Sequence, residues 1–341
     1  MAATTGEDRK SEPDPGAEAA RKDTQKPQGR PTVIRYIGIP GEWERKLYPH
    51  WPERAFQIPA EIPYGTIYYV RKGSEIGFGT TARIEKLPEG YVIKTPNTNP
   101  YNLREEEGNL RNMRIEAEVY RRLGPNCPYI PKMLEWDPDT CCLSLEFLEN
   151  GPLGFYLKGR KPPHYEEEEH PPYIEPALRQ RWALQTTRGL RALHAVGVVH
   201  GDLTPRNLLL DADFNVRIAD FAGSSVDGAP YAICAGERYL VPGWSFRKTP
   251  EPADDLFLLG GMLYLIMTSQ EPHHDVADEF DVAKLYEAGT FPDVAGIDCS
   301  AVIQGCWNGS LKSANEVLEQ LLTVFSEDID PLSGQNSNCD T

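Results

Sequence analysis

Two carboxylates and one amide lie at fixed spacings between residues 198 and 221, and these residue types could hold a metal ion beside a reacting hydroxyl group. Asp202 follows a short apolar pair, Asn207 comes five residues later, and Asp220 lies 18 residues after Asp202. A strand-turn-strand between Asn207 and Asp220 would bring the second carboxylate back to the first. Carboxylate and amide oxygens suit Mg²⁺, which usually also binds substrate phosphates. The spacing therefore predicts a Mg²⁺ site of the kind that is shared with substrate phosphates.

These residues belong to a longer motif that resembles the catalytic loop and metal-binding turn of protein kinases. The motif reads His200-Gly201-Asp202-Leu203-Thr204-Pro205-Arg206-Asn207, followed by Asp220-Phe221. The resemblance implies that Asp202 orients the substrate hydroxyl or accepts its proton, and that Asn207 and Asp220 hold Mg²⁺. It also implies ATP as the phosphate donor and a protein as the acceptor.

Two residues of the loop leave undecided whether the acceptor hydroxyl belongs to serine or threonine or to tyrosine. Thr204 stands where serine/threonine kinases usually have a lysine that touches the transferred phosphate. Arg206 stands where tyrosine kinases place a cation, and could substitute for that lysine. We expect a serine or threonine acceptor in preference to tyrosine, with Arg206 among the catalytic residues.

Two upstream segments resemble the phosphate-binding parts of the same family. Ile76-Gly77-Phe78-Gly79 resembles the glycine-rich loop, in which Gly77 and Gly79 let the backbone approach phosphates without side-chain obstruction. Val92-Ile93-Lys94 resembles the strand whose lysine binds the α- and β-phosphates of ATP. Ile76, Gly77, Gly79 and Lys94 are therefore predicted to contact the nucleotide.

Lys94 needs a glutamate partner on the following helix, and Glu116 and Glu118 both qualify by their position along the chain. At about 100° per residue, the centre of the apolar face lies about 35° from Glu116 and about 125° from Glu118. That face is formed by Ile115, Val119, Tyr120 and Leu123. Glu116 therefore faces the interior, and we predict that it forms the ion pair.

Two other motifs complete the resemblance. Leu145-Glu146-Phe147-Leu148 resembles the strand that enters the hinge between lobes, so the backbone of Glu146 and Leu148 is predicted to pair with adenine. Asp255, at the start of an apolar helix, resembles the aspartate that accepts backbone hydrogen bonds from the catalytic loop. Its predicted role is structural.

The sequence departs from the family pattern at several points. Gly201 replaces the arginine that pairs with an activation-loop phosphate, which indicates activity independent of loop phosphorylation. Ala222 replaces a glycine, and a left-handed conformation there would cost about 1–2 kcal/mol. The motif that closes the activation segment is degraded to Val241-Pro242-Gly243-Trp244.

The hydrophobic pattern predicts a sheet-rich half followed by a helix-rich half, and therefore two lobes. The resemblance implies that this α+β fold is protein-kinase-like, with a small antiparallel sheet and one helix in the N-lobe and a larger, mainly helical C-lobe. The predicted units are a disordered tail at 1–31, an extension at 32–66, an N-lobe at 67–149, a C-lobe at 150–327 and a disordered tail at 328–341. Helices are expected at 113–123, 175–196, 254–267 and 307–324. Strands are expected at 67–70, 82–87, 91–94, 143–148, 208–210 and 216–218.

Composition excludes several other classes. The formal net charge of −16 argues against a nucleic-acid-binding protein, and no apolar run is long enough to span a bilayer. The seven cysteines form no metal-ligand pattern and predict reduced thiols. We expect a protein of the cytoplasm or nucleus without a membrane partner, and no feature predicts its oligomeric state.

Two alternatives stay open at this point. Gly201, Ala222 and Trp244 together would fit a pseudokinase that binds nucleotide as a scaffold. The His-Gly-Asp-Leu pattern also resembles the loop of aminoglycoside and choline kinases, although those enzymes lack the Asp255-type helix motif.

Overall fold

The N-lobe is built on one antiparallel sheet with a helix packed against it. The computed structural model describes residues 30–160, 173–231, 235–245 and 247–333. The elements of its first half are β1 (Arg35–Ile39), α1 (Glu42–Leu47), β2 (Thr66–Val70), β3 (Ser74–Phe78), β4 (Ala82–Lys86), β5 (Tyr91–Pro96), α2 (Leu103–Leu123), β6 (Met133–Asp137) and β7 (Cys142–Glu146). Their order in the main sheet is β3-β4-β5-β7-β6.

Strand β5 is the centre of this sheet and places Lys94 in the interior. It pairs antiparallel with β4 and β7, so that Lys94 lies opposite Ile84 on one side and Leu143 on the other. Alternate side chains of a strand point to opposite faces, which sends Lys94 and Val92 to the same face. The hairpin expected between 82–87 and 91–94 is confirmed.

An additional layer at the N-terminus was not expected as regular structure. Strand β1 pairs in parallel with β2, and Glu44 of α1 forms a buried ion pair with Arg71 at 2.6 Å. The Tyr36 hydroxyl donates to the Thr98 carbonyl at 3.0 Å, and its ring lies 5.0 Å from that of Phe78. This layer therefore touches the tip of the glycine-rich loop.

The second half of the chain is mainly helical. Its elements are β8 (Gly151–Pro152), α3 (Leu153–Leu157), α4 (Pro176–Ala195), β9 (Val198–Val199), β10 (Leu208–Leu210), β11 (Val216–Ile218), β12 (Ser225–Val226), α5 (Pro252–Thr268), α6 (Glu279–Glu287), α7 (Ser300–Trp307) and α8 (Ala314–Leu322). A 3-10 helix covers Glu237–Tyr239. The α+β fold with a sheet-rich N-lobe and a helical C-lobe is confirmed.

Helix α5 is the core of the C-lobe. Its residues from Asp254 to Ile266 are all buried, as expected for a helix that is apolar on every side. Helices α4 and α7 pack against it. Because α5 is held on all sides, its first turn is a rigid support for the loop that follows β9.

Two expectations for the C-terminal region were wrong. The helix predicted over 307–324 covers only Ala314–Leu322, because α7 already ends at Trp307. Gly309 adopts a φ of +69° in the turn between them, and the Ser313 side chain caps α8 by accepting from the Glu316 amide at 3.1 Å. Residues 328–333, expected in the disordered tail, are described, and Asp330 is buried in an ion pair with Arg188. The remainder of that tail and residues 1–29 lie outside the described residues.

None of the helices in the described ranges is long and apolar enough to cross a membrane. Among the same residues, Cys141, Cys142, Cys299 and Cys306 are buried free thiols, and Cys127 is buried as well.

Candidate active site

A lysine between two carboxylates lies at the junction of the lobes. Lys94 Nζ donates to Glu116 Oε2 at 2.6 Å and Oε1 at 2.9 Å, and to Asp220 Oδ1 at 2.8 Å. Lys94 and Glu116 are buried, whereas the side chain of Asp220 is 49% exposed. The ion pair therefore joins β5 to α2 inside the N-lobe and reaches the turn that follows β11.

The choice of Glu116 over Glu118 is confirmed. Glu116 is fully buried on the inner face of α2, and Glu118 is 42% exposed and pairs with Arg122 at 3.1 Å. Arg122 also binds both carboxylate oxygens of Asp227, at 2.7 and 2.8 Å. The sequence analysis missed this second contact, which ties the end of α2 to the chain after β12.

The cation of Lys94 and the carboxylate of Asp220 each stabilise the charged form of the other. Burial is the largest single influence on the pKa of Lys94 and by itself would lower it. The nearby charges of Asp220 and Glu116 together outweigh burial, so the pKa is raised. Burial by itself would raise the pKa of Asp220. The charge and hydrogen bond of Lys94 outweigh this effect, so the pKa is lowered. Lys94 is therefore a fixed cation and Asp220 a fixed anion at neutral pH.

The carboxylate of Asp202 is held by Asn207, as the motif spacing predicts. Asn207 Nδ2 donates to Asp202 Oδ2 at 3.0 Å and to its carbonyl at 2.8 Å. Strands β10 and β11 form the expected hairpin, and the Ala219 amide donates to the Asn207 carbonyl at 2.8 Å. Asp220 therefore returns beside Asn207, and the three polar side chains meet at one place.

One oxygen of Asp202 has no partner. Its Oδ1 is buried and accepts no hydrogen bond from any residue that the structure describes. Burial raises the pKa of this carboxyl to about 6, while the charge of His200 acts in the opposite direction. The site therefore holds a carboxylate with an unused acceptor and raised basicity, which are the properties of a general base.

The raised pKa predicts a stability change that can be measured without ligands. Between about pH 4 and pH 6 the folded protein keeps a proton on Asp202 that the unfolded chain has released, so the free energy of unfolding falls as the pH rises. The loss is about 3 kcal/mol. Chemical denaturation of the metal-free wild type and Asp202→Asn across this window will show it, because the variant lacks the titrating group. Parallel pH curves for the two proteins would contradict the prediction.

Asp255 positions the catalytic loop, as its motif implies. The fully buried carboxylate accepts from the backbone amides of His200 at 2.7 Å and Gly201 at 2.8 Å. It also lies 2.9 Å from His194 Nε2 of α4. Because the acceptor belongs to the first turn of α5, the loop takes its position from the core of the C-lobe.

The turn at 220–222 differs from the expectation in one respect. The left-handed conformation falls on Asp220, with a φ of +68°, and Ala222 is not among the residues with positive φ. The strain expected at Ala222 is therefore absent. Phe221 is fully buried, with its ring 5.2 Å from that of Tyr120 on α2 and 5.5 Å from that of His200, so the turn is packed between both lobes.

Gly201 makes a contact that the sequence did not indicate. It has a φ of +75°, and a Cβ atom at this position would lie 2.4 Å from Cε1 of Tyr231. The Tyr231 hydroxyl donates to Asp254 Oδ2 at 3.2 Å, and Lys248 forms an ion pair with the same carboxylate. Tyr231 therefore lies against the backbone at the position where the motif resemblance implied an arginine side chain, and the following segment is tied to α5.

Gly201→Arg is expected to destabilise the protein rather than restore a family feature. The left-handed backbone and the lost space beside Tyr231 together cost about 2–5 kcal/mol. The free energy of unfolding from urea titration measures the effect. A double variant with Tyr231→Gly should recover the steric part of the loss. Unchanged stability of Gly201→Arg would show that Tyr231 does not pack on this backbone.

The remaining predicted residues lie on elements of both lobes. Gly77 and Gly79 lie where β3 turns into β4, with Ile76 on β3. Glu146 ends β7, and Leu148 is buried in the link that follows. Arg206 is exposed on the catalytic loop, and its charge lowers the pKa of Asp202 against the effect of burial.

The donor set fits a divalent cation only in part. Across the described ranges, no group of three or more His, Cys, Asp and Glu side chains could hold a metal ion. Asn207 donates to Asp202 through Nδ2, which leaves its amide oxygen for a cation, and Asp220 is half-exposed beside it. One amide and one carboxylate suit Mg²⁺ when substrate phosphates supply further oxygens.

The fold and these side chains define the two-lobed architecture of protein kinases. A family model described as "Protein kinase domain" matches residues 70–324, most of the chain. The chain therefore belongs to the protein kinase family.

Similar curated proteins include the serine/threonine-protein kinase PLK4 of Xenopus laevis, 30% identical over 171 residues, or 48% of this chain and 17% of the relative. PLK4 of Danio rerio is 32% identical over the same length. The hormonally up-regulated neu tumor-associated kinase of Homo sapiens is 25% identical over 280 residues, or 80% of this chain and 36% of the relative. The chain thus matches about a sixth to a third of the length of these relatives.

Proposed function

We propose that this chain is an ATP-dependent protein kinase that transfers the γ-phosphate of Mg-ATP to a serine or threonine hydroxyl. The observation that carries the proposal is the convergence of the Lys94–Glu116 ion pair, Asp220 and the Asp202–Asn207 pair at the junction of the lobes. Residues 67–149 and 150–327 would be its two lobes, with 32–66 as an extension.

Each polar group has a role that its contacts support. Asp202 Oδ1, which has no hydrogen-bond partner among the described residues, accepts the hydrogen bond and then the proton of the acceptor hydroxyl. Asn207 holds the other oxygen, so the free oxygen keeps one orientation. Lys94, fixed by Glu116, binds the α- and β-phosphates, and Arg206 offers charge to the transferred group.

The nucleotide and its metal ion would lie between the lobes. Mg²⁺ would supply charge neutralisation of the phosphates, with Asn207 and Asp220 as its protein ligands. The backbone of Gly77 and Gly79 would lie over the phosphates beside Ile76. The backbone of Glu146 and Leu148 would pair with adenine.

Activity is expected without phosphorylation of the activation segment. Tyr231 packs on Gly201 and its hydroxyl binds Asp254, so this part of the segment has a partner without a phosphate. Phosphatase-treated protein should therefore keep full activity. A large loss of activity after phosphatase treatment would contradict this part of the proposal.

The decisive experiment follows radiolabelled γ-phosphate from Mg-ATP to a peptide library, to the protein itself and to a panel of small hydroxylated and aminated metabolites. We expect transfer to serine and threonine peptides. ATP that raises the melting temperature without any transfer would indicate a pseudokinase. Transfer to metabolites alone would indicate a small-molecule kinase.

A further inference from the structure

A cavity of about 480 Å³ opens beside the catalytic loop. Its wall includes Thr204 and Arg206 of that loop, Lys158 and Arg160 after α3, and Arg238 and Tyr239 of the 3-10 helix. Thr204 is only two residues from Asp202, which limits their separation to about 7 Å. A peptide whose hydroxyl reaches Asp202 would therefore pass this cavity.

The charges of the cavity do not cancel. Four cationic side chains line it, against the two carboxylates of Glu271 and Glu279. Lys158 pairs with Glu271 at 2.8 Å, and Arg238 lies 3.5 Å from each of the two carboxylates. Both carboxylates are therefore already paired with cations of the wall.

Two arginines of the wall form no ion pair within the described ranges. Arg238 is buried and donates to the carbonyls of Pro272, His273 and Val276 at 2.7–3.1 Å, so its role is structural. Arg160 and Arg206 are exposed, and neither forms an ion pair or a side-chain hydrogen bond with any residue in the described ranges. The open face of the cavity is positive in a chain whose net charge is −16.

Two buried hydroxyl groups of the wall also lack partners. Thr204 Oγ1 and the Tyr239 hydroxyl form no hydrogen bond with the described residues, although the two side chains are only 2% and 9% exposed. Burial raises the pKa of Tyr239 well above its usual value, so the hydroxyl keeps its proton. Buried polar groups normally have partners, and two free donors beside two free cations suit an anion.

We propose that this cavity binds an anionic side chain of the protein substrate, so that the enzyme prefers acceptor hydroxyls with an acidic group nearby. The inference rests on the proposed kinase function. An extended peptide advances about 3.3 Å per residue, which places the acidic group within about five residues of the acceptor. The anion is either the carboxylate of aspartate or glutamate or the phosphate of a previously phosphorylated residue.

The test uses peptides with one serine acceptor and with alanine, aspartate, lysine or phosphoserine at each position from five before to five after it. For the wild type we expect kcat/KM to be roughly 10- to 100-fold higher with aspartate than with alanine at one or more positions. A further gain with phosphoserine would identify the phosphate as the preferred anion. Equal rates with alanine and aspartate and no gain with phosphoserine, or a preference for lysine, would overturn the inference.

Arg160→Glu is the diagnostic variant, because its exposed side chain makes no contact that folding needs. It should abolish the aspartate preference while leaving kcat for the alanine peptide unchanged. Tyr239→Phe removes only one hydroxyl and should reduce the preference severalfold. Arg54→Glu, the same charge reversal at an exposed site on the N-terminal layer, is the matched control and should change neither value.

Peptide binding is measured in parallel by fluorescence anisotropy. The two measurements together test the kinase function and the anion-binding cavity independently of each other. Transfer without an anion preference would refute the cavity assignment alone. Absence of transfer together with Arg160-dependent binding of the acidic peptides would refute the kinase function and support the cavity as an anion site. Binding that is insensitive to Arg160→Glu would refute the cavity assignment whatever the activity.

Discussion

Asp202→Asn is expected to lower kcat by about 10²- to 10⁴-fold, the usual effect of removing a general base. The amide oxygen of asparagine can keep accepting from Asn207 Nδ2, but the amide cannot accept the proton of the acceptor hydroxyl. Steady-state phosphate transfer to a peptide measures the loss. The melting-temperature shift caused by Mg-ATP should be retained, because the variant keeps Lys94 and Asp220.

The Asp202→Asn variant also distinguishes a direct loss of catalysis from inactivation by misfolding. Because burial disfavours the charge of Asp202 and leaves Oδ1 without a partner, Asp202→Asn should be more stable than the wild type at neutral pH. A protein that is both more stable and inactive cannot owe its inactivity to misfolding. Asp213→Asn, the same substitution at an exposed site, is the control and should alter neither quantity. Activity within tenfold of the wild type would exclude Asp202 as the base.

Lys94→Met is expected to be strongly destabilising as well as inactivating. The substitution leaves the fully buried Glu116 carboxylate without its cation, and breaking a buried pair in this way costs about 3–5 kcal/mol. Loss of the phosphate-binding cation should lower kcat/KM by a further 10²- to 10³-fold, as is typical when one charged or donor group of a site is removed. Denaturant titration and peptide phosphorylation measure the two effects.

The double variant Lys94→Met/Glu116→Leu distinguishes the loss of stability from the loss of activity. Replacing both members of a buried ion pair with apolar residues is often neutral for stability, so most of the lost free energy of unfolding should return. Activity should not return, because the cation is still absent. Lys46→Met, at an exposed position of α1, is the control. A double variant as unstable as Lys94→Met would show that the pair is not what destabilises the single variant.

The local parts of the site were predictable because they depend on spacing along one element. Helical periodicity alone selected Glu116 over Glu118, and the length of the β10–β11 hairpin alone returned Asp220 to Asn207. The apolar run after Asp255 required a buried helix, and a buried helix supplies a rigid support for the loop it binds. Residue type and short-range geometry decide such features, and both can be read in the sequence.

The incorrect or missing predictions concern features that a short-range sequence pattern does not specify. The predicted helix 307–324 overlooked the turn at Gly309, because the flanking apolar residues keep a helical period across the break. The parallel pair of β1 and β2 joins segments about thirty residues apart, and no local pattern specifies such a partner. The positive φ expected near Ala222 fell on Asp220, since packing of Phe221 between Tyr120 and His200 fixes the turn.

The sequence by itself determined the kinase fold, the order of its motifs and the polar residues that carry the proposed chemistry, because motif spacing and hydrophobic period are local properties of the chain. Only the tertiary structure decided which groups are left unsatisfied. Among the described residues, one oxygen of Asp202 accepts no hydrogen bond, Tyr231 contacts Gly201, and two arginines of the cavity form no ion pair. All three features depend on burial and on neighbours distant in sequence. Burial sets the basicity of Asp202, and the surplus charge of the cavity predicts an acidic substrate.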